Sequence, residues 1–161
     1  MNTVLYLSTR STSRVATKNA NLSQVSWPVS WNDMFPTAHG LSTMYQVYIK
    51  LKSQKAVSTN LPFNSLGSLR CSLSSNYNIN NFGSVLGLLD VVSDVEDASN
   101  YSVVCDTSQY SAVLSFNQPT QNGTFTLYFC DNTEALVAST VTIPDFECML
   151  IFQPLEPVIN A

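Results

Sequence analysis

The chain has 161 residues, of which 45% are apolar and 11% carry a charge. This is the length of one ordinary domain, and the apolar content argues against intrinsic disorder. The formal net charge of −4 argues against nucleic-acid binding as the main role.

The charge is divided along the chain. All seven Lys and Arg residues lie in the first 70 positions, whereas ten of the eleven Asp and Glu residues follow them. If the two halves reach different surfaces, a basic patch of one copy would meet an acidic patch of another. If strands from both halves interleave in space, the charges mix and the division has no such role.

The chain starts with the residues MNTVLYLS. They lack a basic segment and hold an apolar run of only four residues, Val4–Leu7, so they do not predict a secretion signal. No stretch reaches the roughly 18 apolar residues that a membrane span needs. We therefore expect a cytosolic chain without disulfides or a zinc site, in which all four cysteines are reduced and buried: Cys71, Cys105, Cys130 and Cys148.

Apolar and polar residues alternate with a period of two, which predicts strands and no convincing helix. After the short strand Val4–Ser8, the stretch Ser23–Trp31 contains Pro28, which indicates an edge or bulged strand. The clearest strand is Met44–Lys52. The stretch Ser84–Val92 is apolar on both faces and predicts one buried or central strand. The other predicted strands are Ser68–Ser74, Tyr101–Asp106, Gln109–Phe116, Gly123–Asp131 and Phe146–Leu155.

This pattern predicts an all-β protein. About eight strands at a spacing of about 8–12 residues fit a β-sandwich of the jelly-roll type. No linker divides the chain, so we expect one domain over residues 1–161, with residues 1–20 as a possible N-terminal arm. Asp131–Ala135 predicts a turn or a single helical turn.

Residues with catalytic or binding chemistry are few. The single histidine, His39, is a poor base for a catalytic triad, and the acids of the run Asp90–Asp97 lack the spacing of a calcium loop. We therefore predict no enzyme, no catalytic residues, no metal and no cofactor. The aromatic side chains suggest either a sugar-binding platform or, in better agreement with their alternation, a core or an interface: Trp27, Trp31, Tyr45 and Tyr48.

Several stretches resemble a known family. They are LYLSTRSTSR near the start, VYIKLKSQKA, NSLGSLRCSLSSN and NNFGSVLGLLDVV in the middle, and FECMLIFQPLEP near the end. Together they are similar to small jelly-roll minor capsid or penton-type proteins of large icosahedral double-stranded DNA viruses. The resemblance implies a structural virion subunit, made in the host cytoplasm and assembled with copies of itself or with other capsid proteins. It brings no catalytic residues.

The resemblance also suggests a role for the basic N-terminal segment. Val4–Leu7 would add as an edge strand to a neighbouring sheet, and Arg10, Arg14 and Lys18 would contact acids of another subunit. The predicted acidic contacts are Asp94, Glu96 and Asp97. Alternatively, Val4–Leu7 is the first strand of its own sheet and the basic run is a surface loop. The alternative function is a carbohydrate- or receptor-binding β-sandwich module.

Overall fold

A computed structural model describes most of the chain. The described residues are 2–34, 43–57, 66–73, 82–93, 100–110, 112–116 and 123–155. They form twelve strands and one four-residue helical turn. In chain order these are β1 Thr3–Ser8, β2 Thr17–Lys18, β3 Gln24–Val29, α1 Trp31–Met34, β4 Thr43–Ser53, β5 Ala56–Val57, β6 Ser68–Cys71, β7 Ser84–Leu88, β8 Asp90–Ser93, β9 Asn100–Asp106, β10 Ala112–Phe116, β11 Gly123–Cys130 and β12 Phe146–Pro154.

The strands build two antiparallel sheets that pack as a sandwich, which confirms the all-β prediction. The large sheet has the order β1-β12-β4-β9-β5, with β10 also paired to β4 and β8 also paired to β9. The small sheet has the order β2-β3-β11-β6-β7. No helix within the described residues is long and apolar enough to cross a membrane.

The count exceeds the prediction of about eight because the short strand β2 pairs with β3, the run Ser84–Val92 divides in two, and β5 is a separate continuation of β4. Lys52 pairs with Val104 and Ala56 pairs with Tyr101, so β4 and β5 run along the same strand with one extra residue between them. The extra residue marks a β-bulge. At the bulge the hydroxyl of Ser53 replaces a backbone partner, since it accepts a hydrogen bond from the N–H of Val103 at 2.7 Å.

The core lies between the sheets and is rich in aromatic rings. Phe146 of the large sheet meets Phe129 and Trp27 of the small sheet at ring-centroid distances of 5.0 Å and 6.0 Å, in edge-on geometry. Such contacts add stabilisation of about 0.5–1.5 kcal/mol per pair beyond the burial of apolar area. The alternation of β4 is confirmed, because one of its faces is wholly buried: Tyr45, Val47, Ile49 and Leu51.

The prediction of one central strand over Ser84–Val92 is wrong. The run divides at Leu89, with β7 at an edge of the small sheet and β8 paired to β9 in the large sheet. Its apolar residues therefore do not all face the core: Leu88 and Val92 are exposed, while Leu86 and Leu89 are buried. The chain changes sheets at this point, and the N–H of Leu89 donates to Gly67 at 2.9 Å.

Pro28 lies near the edge that its sequence predicts. Its strand β3 pairs with β11 along six residues, but on the other side β2 reaches only Ser26 and Val25. Within the described residues, no strand adjoins Pro28 on that side, so its missing N–H leaves no ladder partner unsatisfied.

Candidate functional site

The strand Val4–Leu7 belongs to its own sheet. β1 pairs with β12 over six residues, from Thr3 with Phe152 to Ser8 with Glu147, and Leu5 and Leu7 are buried in the core. Of the two interpretations of the N-terminal segment, the one in which this strand is intrinsic to the fold is confirmed.

The basic segment folds back over the end of β1. Arg14 donates from Nη1 to the carbonyl of Tyr6 at 3.3 Å, and Lys18 donates from Nζ to the carbonyl of Thr9 at 3.0 Å. The indole N–H of Trp27 caps the carbonyl of Ser8 at 3.0 Å. The bonds to Tyr6 and Ser8 cover part of an edge that would otherwise present unpaired carbonyls to other chains.

The rest of this edge is open. The N–H of Thr9 donates to Phe146, so Thr9 faces β12 and so do the residues that alternate with it, Leu7 and Leu5. The backbone groups of Tyr6 and Val4 therefore point away from the sheet. Within the described residues β1 has β12 as its single strand neighbour, and Val4 lies beyond the cap that Arg14 provides.

The outer face of the large sheet carries an apolar band beside this edge. We define the outer band as five side chains on three adjacent strands: Val4, Tyr6, Tyr48, Met149 and Ile151. Val4, Tyr6 and Met149 are 51%, 52% and 42% exposed, and the other two are half-buried. Strand register places them side by side, since Val4 pairs with Ile151, which pairs with Tyr48. The band is thus a contiguous strip.

A basic cleft of about 380 Å³ adjoins the band where β1 and β4 end and β12 begins. Its lining includes Arg10, Lys52 and Lys55 together with the acidic Glu147. Glu147 accepts a hydrogen bond from the phenol of Tyr6 at 2.7 Å, and this bond raises the pKa of Tyr6. Neither Arg10 nor Lys52 forms an ion pair inside the described part of the chain. Positive charge therefore dominates this end.

The structure places the predicted basic residues together at one end of β1, although only Arg10 lines the cleft. Lys52 was not among the predicted assembly contacts. The signal for it was the alternation of β4, which puts Lys52 on the same face as the outer band.

The opposite edge of the large sheet carries one acidic residue among the described residues, Asp90. β8 pairs with β9 and, among the described residues, with no other strand. Asp90, Val92 and Ser93 on it are exposed. The predicted acidic contacts Asp94, Glu96 and Asp97 lie outside the described residues and follow Ser93 directly in the sequence. Their predicted contact with the basic residues of another subunit stays a prediction.

Other candidate sites lie in the core or outside the described residues. Trp27, Trp31 and Tyr45 are buried, which confirms the core interpretation and removes them from any sugar-binding platform. His39 lies outside the described residues. No group of three metal-binding side chains occurs in the part of the chain that the structure describes.

The four cysteines are free, and all of them are buried, as predicted. Burial raises the pKa of Cys71 and of Cys105 to about 12, and it also raises those of Cys130 and Cys148. A neutral thiol is a poor nucleophile and a poor metal ligand, so these side chains act as small apolar groups in the core.

One buried cation was not predicted. Arg70 of β6 is 3% exposed and donates to Ser68 Oγ and to Glu134 Oε1, each at 3.0 Å. Glu134 has a positive φ of 67° in the turn after β11, and the carboxylate of Asp131 holds this turn by accepting from the backbone of Thr133 and Ala135. The arrangement is structural, because it ties a turn to the small sheet.

In comparisons with known proteins, no family model matches the chain, and neither does a curated protein or a solved structure.

Proposed function

We propose that the protein is a structural subunit of an icosahedral virion, a minor capsid or vertex protein that works through protein–protein contacts and has a jelly-roll fold. The proposal joins the family resemblance of the sequence to two features of the molecule, its strand pairing and its outer face.

The pairing of strands supports a jelly roll. β1 pairs with β12, β3 with β11, β4 with β9, and β6 with β7. These four pairs are nested: the first and last strands pair, and each inner pair lies between the members of the pair outside it. A chain paired in this way is one long doubled ribbon, and rolling that ribbon into two four-stranded sheets produces the jelly roll.

The outer band is the observation that carries the functional proposal. Contiguous exposed apolar strips are typical of interaction surfaces, and this one runs across three adjacent strands. Burying a Val or Met side chain contributes about 1.5–3 kcal/mol, so even the band's few residues suffice for a weak contact repeated in many copies. Assemblies of identical subunits depend on such contacts.

A test of this function measures the native mass of the protein and of a variant without the band. Val4→Thr/Met149→Gln keeps the size and exposure of two band residues but removes their apolar surface. Val57→Thr/Leu88→Gln is the matched control, because Val57 and Leu88 are 76% and 64% exposed and lie outside the band.

We expect analytical ultracentrifugation to show an oligomer for the natural chain and for the control, and a monomer for the band variant. Negative-stain electron microscopy should show closed rings or shells, with five-membered rings for a vertex subunit. A natural chain that stays monomeric at every concentration and salt, or a band variant that assembles as well as the control, contradicts the proposal.

A further inference from the structure

The two edges of the large sheet are chemically opposite. This inference rests on the proposed function, because it names the partner and the mode of assembly. We propose that copies of the chain associate head to tail, with the β1 edge of one copy against the β8 edge of the next.

Charge separates along the sheet although strands of both halves interleave within it. At the β1 end lie Arg10, Arg14 and Lys18, all in the segment that follows β1. At the other edge lies Asp90, exposed on β8, and Asp94, Glu96 and Asp97 follow this strand in the sequence. Within the sheet, Lys50 of β4 lies opposite Asp106 of β9 and lowers the pKa of that carboxyl, after the larger effect of its hydrogen bonds with Ser108. Among the described residues, the β1 end is therefore mainly basic, and the charge of the β8 edge is the exposed carboxylate of Asp90.

Both edges also offer backbone groups. The N–H of Val103 points towards β4, since it donates to Ser53 Oγ, so its register partner Val91 on β8 does not bond to β9. Val91 and Ser93 therefore direct their N–H and C=O groups outwards, as Val4 and Tyr6 do on β1. A β8 strand can add to a β1 strand by the same hydrogen bonds that join strands within a sheet.

Apolar side chains accompany the backbone on the same face. Val92 is 51% exposed and lies on the outer face of β8, and Val4 and Tyr6 lie on the outer face of β1. In a sheet continued from one copy to the next, Val92 would lie on the face that carries the outer band.

Electrostatics favours a head-to-tail contact over a symmetric one. Two β1 edges brought together at Val4 and Tyr6 would place the Arg14 side chains of both copies near one another, since each bonds to Tyr6, and two β8 edges would do the same with Asp90. Like charges facing each other across an interface suppress that pairing. A head-to-tail contact uses two different patches, and successive copies form a ring if the rotation closes.

The cap of Arg14 on Tyr6 shortens the open part of the β1 edge. Strand addition then relies on few backbone bonds, and charge attraction must supplement them. Because exposed charge pairs are screened by salt, we expect association to weaken as ionic strength rises from about 0.01 M to 1 M.

The decisive experiment blocks one edge at a time. The β1-blocked variant is Val4→Pro/Arg10→Glu, in which proline removes an N–H that faces away from β12 and so leaves that ladder intact. The β8-blocked variant is Asp90→Lys/Ser93→Pro. Ser93 is exposed and its N–H faces outwards, so proline at this position leaves the pairing of β8 with β9 intact. Lys50→Glu, on the middle strand β4, controls for a reversed charge on this sheet.

We expect each blocked variant to sediment as a monomer and Lys50→Glu to sediment like the natural chain. An equimolar mixture of the two blocked variants should form a dimer and nothing larger, because each retains the edge that the other lacks. A symmetric contact cannot give this result.

Two outcomes overturn the inference and leave the proposed function standing. One is a β8-blocked variant that associates like the natural chain, and the other is a mixture that stays monomeric while the natural chain is oligomeric. A natural chain that is monomeric under all conditions overturns the inference and the proposed self-assembly together. If a proline variant loses its far-UV circular dichroism spectrum, the charge reversals Arg10→Glu and Asp90→Lys repeat the test: each alone should be monomeric, and their mixture should regain the association of the natural chain, since both side chains are exposed and the reversed charges attract.

Discussion

Asn21 shows how one polar side chain fixes the connection between β11 and β12. Its amide Nδ2 donates to the carbonyls of Val137, Ala138 and Val141 at 3.3, 3.1 and 3.0 Å, and its Oδ1 accepts from Ser23 Oγ at 2.7 Å. The residue is 7% exposed. Asn21 begins a glycosylation sequon, but its side-chain nitrogen already donates hydrogen bonds to these three carbonyls. Local sequence could not predict these bonds, because the carbonyls lie more than 100 residues away in the chain.

We expect Asn21→Asp to lower the free energy of unfolding at neutral pH by about 3 kcal/mol, because a buried carboxylate would face three carbonyl oxygens. Protonation restores one donor, so the deficit should be smallest below about pH 4 and grow as pH rises. Urea denaturation measures the effect. The control Asn132→Asp, an exposed amide, should change stability by less than about 0.5 kcal/mol. An equal effect at both positions would mean that the Asn21 network contributes nothing.

The buried thiols predict how stability depends on alkaline pH. The folded pKa of Cys71 and of Cys105 is raised to about 12, whereas a thiol in the unfolded chain ionises near its ordinary value of about 8.5. The folded state therefore binds more protons between these values. Stability should be constant below about pH 8 and fall as pH rises towards 12.

Urea midpoints measured from pH 7 to pH 10.5 test this dependence. The phenols of Tyr6, Tyr45 and Tyr101, whose pKa values are also raised, contribute in the same direction. The difference between the natural chain and Cys71→Ala isolates one thiol, since the variant should lose less stability between these pH values. Equal slopes would contradict the burial of this thiol. Rapid reaction of the folded chain with a thiol reagent at pH 8 would contradict it for the cysteines in general.

At the scale of single elements, alternation predicted most strands, and it failed where a run changes sheets. The period-two pattern of Met44–Lys52 identifies β4 and its buried face, because one face of that strand packs against the small sheet along its whole length. In Ser84–Val92 the first apolar residues belong to β7 in the small sheet and the last ones to β8 in the large sheet. The run that suggested one strand buried on both faces is therefore two edge strands. Local sequence does not reveal such a change, since its cause is the position of distant strands.

The basic segment after β1 illustrates the same limit at the candidate site. The sequence showed that this segment is basic. It left open whether the strand before the segment adds to a neighbouring sheet or belongs to its own sheet. That Arg14 and Lys18 would bond to carbonyls of their own chain depends on the path of the turn Ser11–Arg14, in which Arg14 N donates to Ser11 Oγ. Arg10 and Lys52 line the same cleft because β1, β12 and β4 are adjacent strands. This pairing brings together residues that are about 40 positions apart in the sequence.

Gly87 in β7 shows why this element tolerates little change. A Cβ at this position would lie 2.7 Å from Thr107 Cγ2 and 2.9 Å from Cys105 Sγ. Both neighbours are buried, so the side chain of an alanine must displace them. We expect Gly87→Ala to cost about 2 kcal/mol by overpacking.

The neighbouring Leu88→Ala provides the control for this substitution. Leu88 is exposed, and its truncation should change stability by less than about 0.5 kcal/mol. Urea midpoints of both variants give the comparison. An unchanged midpoint for Gly87→Ala would show that β7 does not lie as close to β9 as the structure places it.

For the whole molecule, the nested pairing of strands makes the two ends of the ribbon neighbours. Thr3 at the start of β1 pairs with Phe152 near the end of β12, so these two strand ends are adjacent. A circular permutant that connects Ala161 to Met1 and opens between Ser108 and Gln109 should therefore fold. Both residues at the new ends are exposed, in a turn closed by the hydrogen bond from Tyr110 N to Thr107 O.

A second permutant, opened between Met149 and Leu150, interrupts β12 where it lies between β1 and β4. The two halves of β12 would then have to pair with β1 and β4 separately, without the covalent bond that aligns them. We therefore expect this permutant not to fold. Far-UV circular dichroism and a urea titration distinguish the two chains. A cooperative transition in the first and none in the second supports the ribbon as the organising unit of the fold. Folding of both permutants would mean that the order of the strands along the chain matters little, and failure of the first would contradict the pairing of β1 with β12.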